Sequence, residues 1–208
     1  MKCSVAAALC VLFAPLASAQ TLDFTSYFED ATMRVDYFHT AHAGCDEIAI
    51  DQIYVSDAWA GSRKKLLPPM ENGRYVIKVV DIASNKLIYS HQYLDIVFEY
   101  KGTKAGIEGR KQTYHESALI PCPKRPILFT IERRDKHHRL HPVFSHIVDP
   151  KDRTIKRERP SETDKSFVIV KNGDAHVCVD LVFLAEGYPE AEFEKFKFVA
   201  AEGGKASD

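Results

Sequence analysis

The sequence predicts a mainly β protein: an antiparallel β-sandwich of immunoglobulin-like size, followed by a strand and a helix near the C-terminus. From residue 32 to residue 150, β-branched and aromatic residues alternate with polar ones in about seven short runs, the period of strands with one buried face. Little helical pattern lies between these runs, which favours an antiparallel sandwich. The pattern changes in residues 179–198, where the apolar run VDLVFL precedes Gly187 and Pro189. That change is typical of a buried parallel strand that leads into a helix.

Period-two alternation predicts the first strands of the sandwich. They cover residues 33–42, 47–57 and 74–82. A hairpin is predicted where residues 75–81 and 86–94 flank a turn at Ser84 and Asn85. A second hairpin joins residues 126–134 to residues 140–149 through the polar turn DKHHR.

The single tryptophan, Trp59, lies outside these runs, beside Gly61. Its ring is either the large anchor of the sandwich core or half exposed on a loop. Alternation does not decide between the two.

The N-terminus has the pattern of a secretory signal peptide. Lys2 precedes an apolar run over residues 5–16, and the small residues Ala17-Ser18-Ala19 follow. We expect cleavage between Ala19 and Gln20, and a product that is secreted or periplasmic. The apolar run is shorter than the ~20 residues that a bilayer requires, so no membrane span is expected.

Composition shifts divide the chain into four segments: a signal peptide 1–19, a β-sandwich domain 20–150, a charged linker 151–166 and a strand with a helix in 167–208. The linker holds ten charged residues in KDRTIKRERPSETDKS, too polar a composition to bury a core. The whole chain has a formal net charge of −1. A nucleic-acid partner is not expected, because such partners require a basic surface.

Three cysteines remain after signal removal: Cys45, Cys122 and Cys178. An odd number in an oxidising compartment allows at most one internal disulfide. The sequence does not choose among the three pairs, and ordinary small buried side chains without a bridge are the favoured interpretation.

Two histidine groups have side chains of the kinds that bind zinc. His39, His42 and Cys45 are spaced by three, but strand alternation turns His39 and His42 to opposite faces, so solvated strand-end histidines are the simpler interpretation. His137 and His138 fall in the predicted turn DKHHR and His141 just after it, without a helix to align His137 with His141. We therefore expect no metal site in this chain and keep His39, His42, Cys45, His137 and His141 as weak candidates.

Catalytic arrangements other than metal sites are also not expected. His115, Glu116 and Ser117 are consecutive, but neighbouring strand residues face opposite ways and cannot form a triad among themselves. The sequence contains no G-x-S-x-G elbow, no P-loop and no dinucleotide glycine motif.

Several stretches together resemble one protein family. VDLVFLAEGY followed by PEAEFEKF is similar to the segment that opens the catalytic domain of the IgA-specific zinc metallopeptidases, which are secreted bacterial proteins. The upstream stretches resemble that family's non-catalytic N-terminal domain: YFEDATMRVDYFHTAH, DQIYVSDAWAGSRKKLL, GRYVIKVVDIASNKLIYS, TYHESALIP and RLHPVFSHIVDP. The likeness runs from about residue 24 to residue 198 and implies a β-sandwich followed by the start of an α/β peptidase domain.

The resemblance implies zinc chemistry that this sequence does not carry. Family members bind zinc through an H-E-x-x-H pair on a helix downstream of the LAEGY strand, with the glutamate polarising the attacking water. The nine histidines here include no H-E-x-x-H. No catalytic or cofactor-binding residue can therefore be assigned, and zinc is expected only in a full-length family member.

The sequence supports two hypotheses about function. The first is a secreted accessory domain of an IgA-type metallopeptidase, truncated within the first strand and helix of its catalytic domain and without activity by itself; its partner would be a peptidase domain. The alternative is a free-standing secreted β-sandwich that binds a protein or a glycan. A metal-dependent enzyme that uses the histidine groups is a weaker third candidate.

Overall fold

The structure is a computed structural model that describes residues 22–68 and 72–159, together with Gly173, Cys178 and Leu181; of Asp57 only the backbone is described. The predicted signal peptide, residues 1–19, lies outside the described residues. So do the strand and helix predicted within residues 167–208, apart from those three single positions.

Eight strands in the described residues form two four-stranded sheets. The first sheet has the order β5-β1-β2-β8 and comprises β1 (Phe28–His42), β2 (Cys45–Asp57), β5 (Gln112–Pro123) and β8 (Lys156–Arg157). The second has the order β4-β3-β6-β7 and comprises β3 (Tyr75–Asp81), β4 (Lys86–Tyr93), β6 (Ile127–Arg134) and β7 (Leu140–Val148). Neighbouring strands are antiparallel, except that β8 runs parallel to β2.

Three short helices accompany the sheets: α1 (Phe24–Tyr27), α2 (Ile96–Lys101) and α3 (Lys104–Ile107). Asp95 caps α2, because its Oδ1 accepts a hydrogen bond from Phe98 N at 2.9 Å. Thr103 caps α3 in the same way by accepting from Gly106 N at 3.1 Å. These side chains satisfy amide groups that the first helical turn leaves unpaired. No helix in the described part of the chain is long and apolar enough to cross a membrane.

The prediction of a mainly β protein with antiparallel sheets is confirmed, and so are both predicted hairpins. β3 pairs with β4 and β6 with β7. In the first turn Asn85 has a φ of 52°, which asparagine tolerates better than most residues, and Ser84 N donates to Asp81 Oδ2 at 2.8 Å.

The immunoglobulin-like label is not confirmed. The first strand, β1, lies in the interior of its sheet between β2 and β5. In an immunoglobulin constant domain the first strand instead lies at the edge of the order A-B-E-D.

The two sheets share one hydrophobic core. Alternate residues of β1, namely Met33, Val35 and Tyr37, pack in the same cluster as Ile77 and Val79 of β3, and all five are at most 3% exposed. Burying a large apolar side chain of this kind stabilises a fold by about 1.5–3 kcal/mol. Alternation in the sequence therefore identifies the face of β1 that holds the sheets together.

Trp59 belongs to this core, which settles the choice that the sequence left open. Its side chain is buried, and its ring meets Tyr89 edge-on with the ring centroids 5.9 Å apart. The indole Nε1 donates a hydrogen bond to Ser62 O at 3.4 Å. Gly61 lies directly against the indole, so the loop packs on the ring.

Part of the segment predicted as a charged linker adds to the first sheet. Lys156 and Arg157 form β8 beside Tyr54 and Val55 of β2, and Glu158 N donates to Val55 O at 2.8 Å. A short, charged strand of this kind protects a sheet edge from pairing with other chains.

Candidate functional site

A group of charged and polar side chains lies at one end of the space between the sheets, and all but Arg133, whose side chain is 33% exposed, are largely buried. We call it the His39 network. Its members come from both sheets and from α2: His39, Asp46, Tyr75, Asp95, Lys101, Glu116 and Arg133. The strand ends converge here, and α2 lies across them, so residues far apart in sequence meet.

The period of the strands explains why His39 and Glu116 point inward. On β1, Phe38 is 42% exposed on the outer face while His39 is fully buried. Glu116 lies opposite Tyr37 across the β1–β5 ladder and thus on the inner face, diagonal to His39. Successive strand residues alternate between faces, so this placement follows from the register.

His39 bridges two carboxylates. Its Nε2 lies 3.0 Å from Asp46 Oδ1, and its Nδ1 lies 3.2 Å from Glu116 Oε2. A third carboxylate oxygen, Asp95 Oδ2, lies 3.9 Å from the same Nδ1. Burial alone would lower the pKa of His39, but the hydrogen bonds to Asp46 and Glu116 outweigh burial and raise the pKa to about 9.

Asp46 is the most heavily bonded member. It accepts hydrogen bonds from Tyr75 Oη at 2.8 Å and from Lys101 Nζ at 2.7 Å, and it pairs with the Arg133 guanidinium. Burial would raise the pKa of Asp46, but the bonds from His39, Lys101 and Tyr75 hold it well below its usual range. Asp46 therefore stays ionised and orders the side chains around it.

Burial also shifts the pKa values of Asp95, Lys101 and Tyr75. Burial raises the pKa of Asp95, and the nearby charge of Glu116 adds to the rise. Burial lowers the pKa of Lys101 despite its bond to Asp46, and burial raises the pKa of Tyr75.

Among the described residues, two acceptor atoms of the network lack a donor at ordinary hydrogen-bond distance and angle. Asp95 Oδ2 and Glu116 Oε1 are buried without a hydrogen-bond partner within the described residues. The side chains of Asp95 and Glu116 are only 9% and 12% exposed. A buried oxygen without a donor or cation costs about 1–3 kcal/mol, more for a charged group.

The histidines singled out in the sequence do not gather into one site. His39 joins the network, whereas His42 Nδ1 accepts from Gly44 N at 3.2 Å, and Cys45 Sγ points to Glu47 Oε1 at 3.7 Å. The ligand atoms of His39, Asp95 and Glu116 lie within 4.8 Å of one another, and in the described part of the chain this is the group of metal-ligating side chains that converges.

His137 and His141 lie at and after the turn between β6 and β7. The turn is organised by Asp135, whose carboxylate contacts His141 Nε2 at 2.9 Å and accepts from His137 N at 2.8 Å. His138 occupies the left-handed region with a φ of 62°. Their arrangement is that of an exposed turn held by one carboxylate.

His115, Glu116 and Ser117 alternate as expected. His115 is about half exposed on the outer face beside Asp51 at 3.1 Å, and Ser117 donates to Asp36 at 2.6 Å. Glu116 alone of the three turns inward to His39. The three cysteines are free: Cys122 is buried, Cys45 half-buried and Cys178 exposed.

Sequence reasoning missed Asp95 and Glu116 as partners of His39. Glu116 precedes Ala118 and Ile120 at a spacing of two, so the same alternation that buries those residues turns its carboxylate inward. Asp95 stands directly before IVFEYK as an N-cap. Neither signal shows that α2 folds back over the end of β1.

The fold and the network define a β-rich domain whose polar centre is enclosed within the protein. Residues 23–145 match the family described as "Peptidase M64 N-terminus". The chain belongs to this family, and this part of it is an N-terminal domain of the IgA-specific metallopeptidases. A comparison with curated proteins finds no match.

Proposed function

We propose that this chain is a secreted accessory domain of an IgA-type zinc metallopeptidase and has no peptidase activity of its own. The observation that carries the proposal is the family match over residues 23–145, which covers β1 to β6 and most of β7. The sequence also lacks the H-E-x-x-H pair through which the family's catalytic domain binds zinc.

The burial of the His39 network supports a structural role for it. A general base must approach within hydrogen-bond distance of its substrate, directly or through one water. The side chain of His39 is 0% exposed, and that of Asp46 is 1% exposed. Both ring nitrogens of His39 already face carboxylates, so the imidazole has no free nitrogen to offer a peptide.

Secretion is part of the proposal and rests on the N-terminal sequence. The basic residue, apolar run and small residues of positions 1–19 are those of a cleaved signal peptide. A mass spectrum of the protein exported from a bacterial host tests this part. We expect a chain that begins at Gln20, and export with residues 1–19 still attached would contradict cleavage.

A protease assay tests the absence of activity. Residues 20–208 are purified and incubated with immunoglobulin A and with casein, with and without added Zn²⁺. We expect no cleavage of either protein in any condition. Zinc-dependent cleavage that a chelator stops, and that the variant His39→Gln lacks, would overturn the proposal.

A binding assay tests the accessory role itself. The probe is the zinc-binding domain of a family member that carries H-E-x-x-H, supplied as a separate chain. We expect it to bind residues 20–208, because domains that are neighbours in one chain commonly form an interface of moderate size. Lack of binding to this domain would contradict the proposed partner and leave the result on activity intact.

A further inference from the structure

We propose that His39, Asp95 and Glu116 bind a divalent transition-metal ion in the interior of this domain. One ligand atom from each residue takes part: the Nδ1 of His39 and a carboxylate oxygen of Asp95 and of Glu116. These atoms lie within 4.8 Å of one another. The proposed site differs in position and residues from the zinc site expected of a peptidase domain.

The unpaired oxygens provide the first argument. Asp95 Oδ2 and Glu116 Oε1 are buried acceptors without a hydrogen-bond donor in the described residues. Two cationic side chains of the network, Lys101 and Arg133, are already paired with Asp46. A cation among the three ligand atoms would compensate these carboxylates, which is the usual solution for buried charge.

The orientation of His39 provides the second argument. Its Nε2 faces Asp46 Oδ1 at 3.0 Å, and Asp46 is itself held by Tyr75 and Lys101. A histidine that binds a metal through one nitrogen usually donates its other N–H to a carboxylate, which fixes the ring and makes it a better ligand. The Asp46 contact leaves Nδ1 directed at Asp95 and Glu116.

Distances between ligand atoms are close to those that a metal requires. Bonds of about 2.1 Å place neighbouring ligand atoms about 3.0–3.4 Å apart in tetrahedral or octahedral geometry. Nδ1 lies 3.2 Å from Glu116 Oε2 and 3.9 Å from Asp95 Oδ2. Asp95 therefore has to move closer to Nδ1 for all three residues to bind one ion, and one imidazole with two carboxylates suits Zn²⁺, Mn²⁺ or Co²⁺.

The competing occupant of Nδ1 is a proton. A protonated His39 donates to Glu116 through Nδ1, and a proton on Asp95 would hydrogen-bond it to Glu116, so a metal ion competes with protons at both places. A metal ion that displaces the proton binds one atom from each of β1, β5 and the N-cap of α2. It would thus fasten α2 to the first sheet, and the domain should be more stable with the metal bound.

Metal binding is tested on residues 20–208 after treatment with a chelator, at about pH 8, where fewer protons compete for the ligand atoms than at neutral pH. Zn²⁺ and Co²⁺ are titrated separately, with calorimetry, thermal unfolding and the Co²⁺ absorption spectrum as readouts. We expect one bound ion per chain, a higher midpoint of thermal unfolding and Co²⁺ bands typical of nitrogen and oxygen ligands.

Matched variants locate the ion. Asp95→Asn keeps an N-cap for α2, and Glu116→Gln keeps the size of the side chain, so both should fold; we expect each to weaken Zn²⁺ binding by about 100-fold or more. His141→Gln removes an exposed histidine outside the network and should bind Zn²⁺ as the unaltered chain does. Circular dichroism verifies that all three variants are folded.

Two results would overturn the proposal. One is a folded chain that binds neither Zn²⁺ nor Co²⁺ and does not change its thermal midpoint. The other is Zn²⁺ binding that Asp95→Asn and Glu116→Gln leave unchanged, since the ion would then lie on surface histidines.

Discussion

His39 and Asp46 form a buried hydrogen-bonded pair across the turn between β1 and β2, with Nε2 and Oδ1 3.0 Å apart and side chains 0% and 1% exposed. Asp46 also accepts from Tyr75 of the second sheet and from Lys101 of α2. One carboxylate therefore joins the first hairpin, the opposite sheet and the helix above them.

Asp46→Ala should strongly destabilise the fold. Removing the carboxylate leaves Lys101, 9% exposed, without its counter-ion and takes from the buried His39 one of its two hydrogen-bonded carboxylates. Breaking a buried ion pair in this way costs about 3–5 kcal/mol of unfolding free energy. Urea unfolding followed by tryptophan fluorescence measures the loss.

The control is Asp51→Asn, which affects another His–Asp pair at the surface. Asp51 and His115 are 44% and 48% exposed, and the change should stay within about 0.5 kcal/mol. Equal effects of the Asp46 and Asp51 substitutions would show that the network does not hold the two sheets and α2 together.

Asp135 should titrate well below an ordinary aspartate. The bond from His141, then those from the backbone N–H groups of Arg139 and His137, hold the pKa of Asp135 below its usual range. A folded pKa below the unfolded value of about 3.9 stabilises the fold above that pH, and the contribution is lost as the pH falls through the folded pKa.

Carbon NMR of the Asp135 carboxyl group across an acid titration measures this pKa. His141→Gln should move it upward towards the ordinary value, because the largest favourable contact is then weakened. A pKa at or above about 3.9 in the unaltered chain would contradict the turn geometry.

Cys122 should be unreactive in the folded protein. Its side chain is 2% exposed, and burial raises the pKa of its thiol to about 11, so little thiolate forms near neutral pH. A maleimide reagent should label the exposed Cys178 readily in native protein, and Cys122 only after denaturant is added. Peptide mapping by mass spectrometry identifies the labelled thiols, and native labelling of Cys122 would mean that the core opens there.

Strands were predictable from sequence because their signal is local. The alternation that places Met33, Val35 and Tyr37 inward is visible in consecutive residues, and Asn85 marks its own turn. Helix α2 also had a local signal, the N-cap Asp95, but it is only six residues long and shows little helical period.

The network was less predictable because its contacts are not local. His39 and Glu116 are 77 residues apart in sequence and meet only through the register of β1 and β5. The alternation correctly predicted that His39 and His42 do not face the same way. The interpretation of His39 as a solvated strand-end histidine was wrong, because its side chain is fully buried. What buries His39 is the second sheet and α2, and no periodicity within β1 carries that information.

Gly61→Ala should destabilise the core around Trp59. A Cβ at Gly61 would lie 2.3 Å from Cζ2 and 2.6 Å from Cε2 of the indole, far inside contact distance. The indole cannot withdraw freely, because it is buried against Tyr89. Overpacking of this kind costs about 1–3 kcal/mol, which urea unfolding measures through the fluorescence of the single tryptophan.

Gly44→Ala is the matched control for Gly61→Ala, because a Cβ there would come no closer than 3.4 Å to His42. It should change the unfolding free energy by less than about 0.5 kcal/mol, since a surface position without close contacts tolerates a methyl group. The native emission maximum adds a second readout: a shift to longer wavelength in Gly61→Ala alone would show that the indole has moved towards solvent. If both variants unfold at the same urea concentration as the unaltered chain, the loop does not pack on Trp59 as described.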